Sequence, residues 1–237
     1  MTEKDRYAVF GNPIKHSKSP LIHATFAQQC AQQMLYRAVR VELDGFAQAA
    51  SNFFNGGGVG LNVTVPFKRE AFEFANRLSE RAARAGAVNT LTRAPDGVIE
   101  GDNTDGIGLV RDLIANLGWA VQGLRVLLIG AGGAARGVLE PLLQECPQEL
   151  LVVNRTGGRA AQLAMEFADV GPLEGGAYDL IGARQFDLVI NATSAGLSGA
   201  MPELHGSLLT ERSCCYDMVY GAEPTPFMRW SAFHAAW

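Results

Sequence analysis

The chain has 237 residues, of which 48% are hydrophobic, so it is long enough to bury one large core or two smaller ones. Its formal net charge of -4 argues against a polyanionic partner such as nucleic acid. The sequence contains no apolar run of membrane-spanning length, and residues 1–6 mix charges without the apolar core of a secretion signal. We therefore expect a cytoplasmic protein with neither a nucleic-acid nor a membrane partner.

The cysteines and histidines give no sign of a disulfide scaffold or a metal site. Cys30, Cys146, Cys214 and Cys215 show neither Cys-x-x-Cys spacing nor the density of a secreted disulfide framework. Buried free thiols are therefore expected. The four histidines form no spaced set with cysteines or carboxylates, so no metal is predicted.

Strand-like and helical segments alternate along the first half of the chain. Strands are predicted at residues 7–11, 36–43 and 59–63, and helices at residues 20–34 and 45–55. This alternation is typical of parallel strands joined by crossover helices. Ser19 and Asp44 are expected to cap helices, and Pro66 is placed for the first turn of another.

A tight turn is predicted at residues 95–97, Pro-Asp-Gly, and a domain boundary is predicted near residue 104, where a helical stretch begins. A second alternating pattern has strands at 124–129, 150–153, 186–191 and 214–219 and helices at 104–117, 133–145 and 158–167. The sequence therefore predicts two domains. Residues 1–104 form an α/β domain, and residues 105–237 form a Rossmann-type domain with a parallel sheet.

A glycine-rich loop follows the apolar run 125–129 and opens a helix. It has the Gly-x-Gly-x-x-Ala pattern of dinucleotide-binding loops, present as Gly130-Ala131-Gly132-Gly133-Ala134-Ala135. The first glycine permits the tight turn, the second lets the backbone approach a pyrophosphate, and the small alanine lets helix and strand pack closely. A strand-to-helix turn without a ligand would also tolerate these glycines, so the loop alone does not establish a cofactor.

The end of the next strand distinguishes between two cofactors. An NAD site places a carboxylate about twenty residues after the loop, where it binds the ribose 2′-hydroxyl. Here the strand ends in Asn154-Arg155-Thr156, and Arg159 follows. Guanidinium groups and a hydroxyl suit a 2′-phosphate, whereas two cations at a helix N-terminus oppose its dipole unless an anion is bound. NADP is therefore favoured over NAD; the alternative is that both arginines are simply solvated.

Two polar loops of the first half are candidate substrate sites. Ser17 and Ser19 present hydroxyls after the first strand, where open α/β sheets bind ligands, although helix capping by Ser19 explains this loop better when it is taken alone. Asn62, Thr64 and Lys68 lie at another strand-to-helix junction. A partly desolvated lysine loses basicity and can exchange a proton with a substrate hydroxyl. The alternative is a solvated lysine, as is usual at helix starts.

Asp105 begins the helix that links the two predicted domains. A carboxylate at this point could face Lys68 across a cleft, hold the lysine oriented and help to pass a hydroxyl proton while hydride moves to a nicotinamide. A turn capped by Thr104 is the alternative explanation of this segment.

Taken together, these segments resemble the shikimate dehydrogenases, the NADP-dependent reductases of 3-dehydroshikimate in chorismate and aromatic amino-acid biosynthesis. The resemblance spans nearly the whole chain. It rests on Asn-Val-Thr-Val-Pro-Phe-Lys at 62–68, Gly-Asp-Asn-Thr-Asp-Gly at 101–106, the glycine loop, and residues 10–13, 17–20, 86–90, 154–156, 191–194 and 216–220.

The resemblance implies a role for each matching residue. Ser17 and Ser19 would bind the substrate carboxylate, and the ring hydroxyls would be bound by Asn62, Thr64, Asn89, Asp105 and Tyr220. Lys68 would be the proton acid and base, supported by Asp105. The implied cofactor contacts are Glu80, Gly130, Ala131, Gly132, Gly133, Ala134, Asn154, Arg155, Thr156, Arg159, Thr193 and Ser194, with Met218 against the nicotinamide.

The sequence departs from the resemblance at one end. Family members continue past Trp237 with a glycine beside the nicotinamide, a substrate-binding glutamine and terminal helices, so no residue here is assigned those roles and a truncated chain is expected. Two functional alternatives stay open: a quinate/shikimate dehydrogenase with broader cofactor use, and a non-catalytic NADP-binding regulatory relative. The sequence is compatible with a homodimer.

Overall fold

The computed structural model describes residues 4–221 and 223–234, and Trp237, at which the sequence ends, lies outside these ranges. The chain divides between Thr104 and Asp105 into two compact units. Within the described ranges each unit has its own sheet, with six strands in the first and five in the second. None of the helices described combines the length and the apolar character needed to cross a membrane.

The first unit is built on a mixed sheet. Its strands are β1 (Asp5–Gly11), β2 (Met34–Arg40), β3 (Gly58–Val63), β4 (Arg77–Leu78), β5 (Thr90–Arg93) and β6 (Ile99–Asp102), and its helices are α1 (Ser19–Gln29), α2 (Phe46–Asn55), α3 (Lys68–Phe74) and α4 (Glu80–Ala85). The strand order is β2-β1-β3-β5-β6-β4. β1 is parallel to β2 and β3, whereas β5 is antiparallel to both of its neighbours.

The three strands that were expected to be parallel, β1, β2 and β3, are parallel, whereas β5 is antiparallel to both of its neighbours. β5 and β6 are joined by the turn predicted at residues 95–97, in which the Gly97 N–H donates to the Ala94 carbonyl at 2.9 Å and Gly97 has a φ of 84°. Such a short connection reverses the chain and can join only antiparallel neighbours. The tight turn itself is therefore confirmed, and it is what breaks the parallel pattern.

Four local predictions in the first unit are wrong. Helix α1 ends at Gln29, not at residue 34, because the chain turns through Ala31 with a φ of 51° before β2 begins. Neither Ser19 nor Asp44 is a capping residue: the N-caps of α1 and α2 are Lys18 and Gly45, and neither makes a side-chain cap bond. Pro66 lies in the turn before α3 and not inside its first turn.

Aromatic side chains fill the core of the first unit. Phe46 and Phe54 lie on one face of α2, where their spacing of eight residues places them two turns apart. The Phe46 ring stacks on Phe67 with 5.5 Å between centroids and meets Phe10 edge-on at 6.3 Å. Phe67 is fully buried. Since Phe67 is the N-cap of α3, this packing fixes the position of the helix start at Lys68.

The second unit is a five-stranded parallel sheet. Its strands are β7 (Arg125–Ile129), β8 (Glu149–Val153), β9 (Leu173–Gly176), β10 (Phe186–Asn191) and β11 (Leu209–Asp217), and its helices are α5 (Asp105–Arg111), α6 (Gly133–Gln144), α7 (Gly157–Glu166) and α8 (Pro226–Phe233). The strand order is β11-β10-β7-β8-β9, and every pair is parallel. The predicted Rossmann-type sheet is confirmed. Its order reverses between β7 and β10, which is where such sheets bind ligands.

The four cysteines are free, as expected, but they are not all buried. Cys30 and Cys146 are exposed, Cys214 is half-buried, and only Cys215 belongs to the core. Cys30 and Cys146 follow the ends of α1 and α6, at turns where the chain returns to the surface. Burial raises the pKa of the Cys215 thiol to about 12, so this cysteine is an inert core residue.

Candidate active site

The glycine loop follows β7 at the point where the order of the parallel sheet reverses. Gly130 has a φ of 116°, its N–H donates to the Val153 carbonyl at 2.7 Å, and a Cβ atom there would lie 3.2 Å from the Ala192 backbone. Only glycine fits that position. Ala135, the small residue of the pattern, is fully buried between helix and sheet.

The first turn of α6 is open toward a ligand. Its N-cap is Gly132, which has no side chain to cap the helix, and a Cβ atom placed at Gly132 would meet nothing within 4 Å. The N–H groups of the first helical turn have no partners within the helix and point outward, where a phosphate can accept them. The open space in front of Gly132 is therefore suited to the close approach of a pyrophosphate.

A cavity of about 570 Å³ opens over the loops that follow β7, β8 and β10. It brings together eight of the predicted cofactor residues: Gly130, Ala131, Gly132, Asn154, Arg155, Arg159, Thr193 and Ser194. The other five, Gly133, Ala134, Thr156, Met218 and Glu80, do not line it, and Glu80 is the first residue of α4 in the first unit. The first two begin α6, Thr156 is the N-cap of α7, and Met218 follows β11.

Two exposed arginines stand at the start of α7. The Asn154 amide donates to the Thr156 carbonyl at 3.0 Å and shapes the turn that presents Arg155. The first turn of α7 contains no acidic residue. Within residues 4–221 and 223–234, neither Arg155 nor Arg159 has a carboxylate partner. Two uncompensated cations at a helix N-terminus in a cavity wall favour a bound anion.

Seven further lining residues of this cavity were not predicted as cofactor contacts, and Tyr178 and Glu203 are the polar ones among them. Tyr178 also packs against the hydrophobic core of the second unit. Burial raises the pKa of the Tyr178 phenol, while the charge of nearby Arg155 acts in the opposite direction. No motif marks Tyr178, because it lies in the link after β9, far from the glycine loop in sequence.

The loops after β1 and β3 meet at one edge of the first sheet. The Asn12 N–H donates to the Val65 carbonyl at 3.0 Å, and the Thr64 N–H donates to the Phe10 carbonyl at 2.9 Å. Gly11 makes this approach feasible, because a Cβ atom there would lie 2.5 Å from the Thr64 Cγ2 atom. β2 and β3 lie on opposite sides of β1, so this edge is also a point where the strand order reverses.

The two predicted serines lie at that edge. The Ser19 N–H donates to the Ser17 hydroxyl oxygen at 3.3 Å, while Ser19 itself is the first residue of α1. Because Ser19 is not the helix cap, capping does not account for its hydroxyl. The local turn orders the two serines relative to each other.

Asn62 and Asn89 belong to one chain of hydrogen bonds. The Tyr36 hydroxyl donates to Asn62 Oδ1 at 2.7 Å, and the Asn62 amide donates to Thr90 Oγ1 at 3.3 Å. The Thr90 hydroxyl donates to Asn89 Oδ1 at 2.9 Å, and the Asn89 amide donates to Thr104 Oγ1 at 3.0 Å. Tyr36, Thr90 and Thr104 were missed as supports of this polar surface.

Lys68 is the first residue of α3 and is half-buried. Its carbonyl accepts the Val88 N–H at 2.8 Å, which ties the start of α3 to the segment that carries Asn89. Lys68 is therefore less exposed than an ordinary solvated lysine at a helix start.

Among the described residues, no group of three or more His, Cys, Asp or Glu side chains is placed to hold a metal ion.

Two family models match the chain. The model for the shikimate dehydrogenase substrate binding domain matches residues 9–91, and the model for shikimate / quinate 5-dehydrogenase matches residues 113–200. The chain belongs to the shikimate dehydrogenase family. The first match contains the serine loop and Lys68, and the second contains the three loops around the cofactor cavity.

Comparison with individual proteins agrees with this assignment. The chain is 56% identical over 227 residues to the shikimate dehydrogenase (NADP(+)) of Cellvibrio japonicus, covering 96% of this chain and 82% of that protein. A crystal structure of the Thermus thermophilus shikimate 5-dehydrogenase with NADP(H) and shikimate is 34% identical, with a TM-score of 0.85 over 98% of this chain and 85% of that one. An Ael1 enzyme from Pseudomonas putida is 45% identical, with a TM-score of 0.88 over 98% of this chain and 84% of that one.

The segment that leads to Asp105 is held by a charged cluster in the first unit. Arg81 Nε donates to Asp102 Oδ1 at 2.7 Å, and the Ser79 hydroxyl and the Asn103 N–H donate to the same oxygen. The hydrogen bond from Arg81 is the main reason that the pKa of Asp102 is lowered to about 2. Ser79 also caps α4. This cluster was not anticipated, although Asp102 and Asn103 belong to the motif at residues 101–106.

The Asp102 cluster should make stability depend on pH. Because the pKa of Asp102 is lower in the folded protein, its stabilisation is complete above about pH 4 and is lost as the pH falls towards 2. Asp102→Asn should reduce the free energy of unfolding by about 1 kcal/mol near neutral pH, after allowance for solvent screening, and the difference should shrink on acidification. Urea unfolding at several pH values measures this, with the exposed Asp44→Asn as control. A difference that does not change with pH would contradict it.

Proposed function

We propose that this chain catalyses the reversible, NADPH-dependent reduction of 3-dehydroshikimate to shikimate, in chorismate and aromatic amino-acid biosynthesis. We assign substrate binding and catalysis to residues 1–104 and NADP binding to residues 105–237. The observation that carries the proposal is the cavity at the reversal point of the parallel sheet, in a chain of this family. There the glycine loop shares the cavity with two arginines that have no carboxylate partner among the described residues.

The cofactor residues divide by the part of NADP that each would bind. The backbone of residues 130–134 would bind the pyrophosphate through N–H groups at the start of α6. Asn154, Arg155, Thr156 and Arg159 would bind the adenosine 2′-phosphate, since guanidinium groups donate paired, charge-assisted hydrogen bonds to phosphate oxygens. Thr193, Ser194 and Met218 would contact the remainder, and Glu80 is carried over from the resemblance as a further contact.

The substrate residues supply hydroxyl and amide groups. Ser17 and Ser19 would donate to the substrate carboxylate, and Thr64 lies at the same edge of the sheet. Asn62 and Asn89, already oriented by their hydrogen-bond chain, would bind ring hydroxyls together with Asp105 and Tyr220. Polar groups that are held in place before substrate arrives lose less entropy on binding.

Lys68 would transfer the proton. Bound NADPH would supply a hydride for the carbonyl carbon of 3-dehydroshikimate, and the carbonyl oxygen would then need a proton. The Lys68 ammonium would donate a proton to that oxygen and complete the hydroxyl of shikimate. In the oxidation direction neutral Lys68 would take the same proton back. Asp105 would orient the lysine and stabilise its charged form.

Steady-state assays with two substrates and two cofactors test this function. Purified protein is expected to form NADPH from shikimate and NADP, measured by absorbance, and to use quinate with NAD far less well. Comparable turnover of quinate with NAD would replace the proposal by a quinate/shikimate dehydrogenase with broader cofactor use. NADP binding without turnover of either substrate would favour a regulatory relative.

Two further predictions concern the location of the protein and its assembly. Action in the cytoplasm and assembly as a homodimer are both proposals. Light scattering of the purified protein measures the second, and a mass of one chain would exclude the dimer.

A further inference from the structure

A carboxylate stands at the carboxyl edge of the parallel sheet without a role in the reaction described above. Asp217 ends β11, and Asn191 ends the neighbouring strand β10. The two residues are direct partners in the register of these strands. The chain continues from Asn191 into the Thr193 turn that lines the cofactor cavity, and from Asp217 into Met218.

Asp217 accepts three hydrogen bonds from three different segments. Its Oδ1 atom accepts the Asn191 amide and the Val219 N–H, each at 3.0 Å, and its Oδ2 atom accepts the Thr225 hydroxyl. In the part of the chain that the structure describes, all of these donors are uncharged. Burial raises the pKa of Asp217, and the hydrogen bonds oppose this rise.

Asn191 extends the network to the cavity. Its side chain is 1% exposed, and its Oδ1 atom accepts the Thr193 N–H at 3.1 Å and the Thr193 hydroxyl at 2.8 Å. Its carbonyl accepts the Met218 N–H at 3.0 Å. The Met218 backbone is thus held on both sides, by Asn191 before it and by the bond from Val219 to Asp217 after it.

Thr225 connects the same carboxylate to α8. It is the N-cap of that helix, and its hydroxyl oxygen accepts the Met228 N–H at 3.1 Å. α8 also has an apolar anchor of its own, because Phe227 is 1% exposed in a core cluster with Leu208 and Leu209. Loss of the carboxylate should therefore loosen the loops around Asp217 while the apolar packing of the sheet remains.

We propose that Asp217 is a positioning residue for the nicotinamide half of NADP. It acts through Asn191 and Val219, which fix the Thr193 turn and the Met218 backbone, and it makes no contact with the cofactor itself. This inference rests on the proposed function, which places Thr193 and Met218 against NADP. It predicts that loss of the network weakens binding of the nicotinamide half of the cofactor and leaves binding of the adenosine half unchanged.

Binding of two ligands separates these halves. NADPH is titrated by its nicotinamide fluorescence, and 2′,5′-ADP, which lacks the nicotinamide, is titrated by calorimetry. Asp217→Ala is expected to weaken NADPH about tenfold, because hydrogen bonds to a charged group are lost, and to leave 2′,5′-ADP within about twofold. Asp217→Asn keeps an acceptor for Asn191 and Val219 and should recover most of the NADPH affinity.

Asp187→Ala is the matched control. Asp187 lies at the opposite, amino-terminal end of β10, where its Oδ2 atom accepts the Arg125 N–H at 2.8 Å. Asp187→Ala should leave the affinities for NADPH and for 2′,5′-ADP unchanged. If Asp217→Ala weakens both ligands equally, or neither, the positioning role is wrong. If the unaltered chain binds neither NADPH nor 2′,5′-ADP, the proposed function fails and this inference fails with it.

Turnover gives a second readout that general destabilisation would not produce. With NADPH saturating, Asp217→Ala should lower kcat and raise the kinetic isotope effect from NADPH deuterated at the transferred hydrogen, because poor placement slows the hydride step. KM for 3-dehydroshikimate should change little. Asp217 would have only a structural role if Asp217→Ala lowered kcat without changing the isotope effect and if Asp217→Ala and Asp187→Ala lowered the melting temperature equally.

Discussion

Lys68→Ala is expected to lower kcat for shikimate oxidation between about a hundredfold and about ten-thousandfold, the usual contribution of a positioned acid or base. The reason is that the substrate hydroxyl would then lose its proton to water and no longer to a fixed amine. The affinity for NADP should not change, because the loops around the cofactor cavity belong to the second unit. Stopped-flow turnover and NADP titration measure the two quantities.

Arg69→Ala is the matched control for this prediction. Arg69 is the next residue of α3, and its exposed side chain pairs with Glu73 at 3.2 Å. It should leave turnover unchanged, because a surface pair of this kind contributes little even to stability. Turnover by Lys68→Arg should be lowered as well, since a guanidinium group keeps its proton near neutral pH. Turnover by Lys68→Ala within about threefold of the unaltered chain would assign proton transfer to another group.

The parallel sheet was the most predictable part of the fold. Residues 126–129 of β7 are all fully buried, because helices cover both faces of a parallel sheet. Such a strand appears in the sequence as an unbroken apolar run, and the glycine loop that follows it marks the turn into a helix. β9 was missed for the opposite reason: its residues are Leu, Glu, Gly and Gly, which do not favour a strand on their own. Pairing with β8 and packing against α7 hold them in that conformation.

The first unit was harder to predict because its pairing is not local. β4 has two residues, too few for any periodicity, and it pairs with β6, more than twenty residues later. The antiparallel placement of β5 depends on its pairing with β3, which the sequence between them does not specify. Helix α1 has no buried residue at all, so no apolar face marks where it ends.

The candidate site was predictable as motifs but not as a network. The glycine loop and Arg155 could be interpreted from spacing, since each acts close to its own strand end. Hydrogen bonds such as that from Asn191 to Asp217 join residues 26 positions apart, and only the register of β10 and β11 brings them together. Tyr178 could not be predicted for the same reason: it reaches the cavity from the connection between β9 and β10, whereas the arginines lie in the connection between β8 and β9.

Replacing Arg155 and Arg159 together by glutamine is expected to weaken 2′,5′-ADP about a hundredfold, since hydrogen bonds to charged groups contribute about 1.5–3 kcal/mol each and these side chains are exposed. Binding of 5′-ADP, which has no 2′-phosphate, should be nearly unchanged. The preference for NADP over NAD in kcat/KM should fall by a similar factor. Calorimetry with the two nucleotides and steady-state assays with the two cofactors measure these effects.

Arg184→Gln supplies the control, because Arg184 pairs with Glu174 at 2.7 Å in the same unit and does not line the cofactor cavity. It should change neither affinity. The arginines at the start of α7 also predict a salt effect: added salt should weaken 2′,5′-ADP more in the unaltered chain than in the double variant, since screening acts on the charges that were removed. An equal loss of affinity for 2′,5′-ADP and 5′-ADP would instead mean that Arg155 and Arg159 support the loop itself, and selection of NADP would then require another source of positive charge.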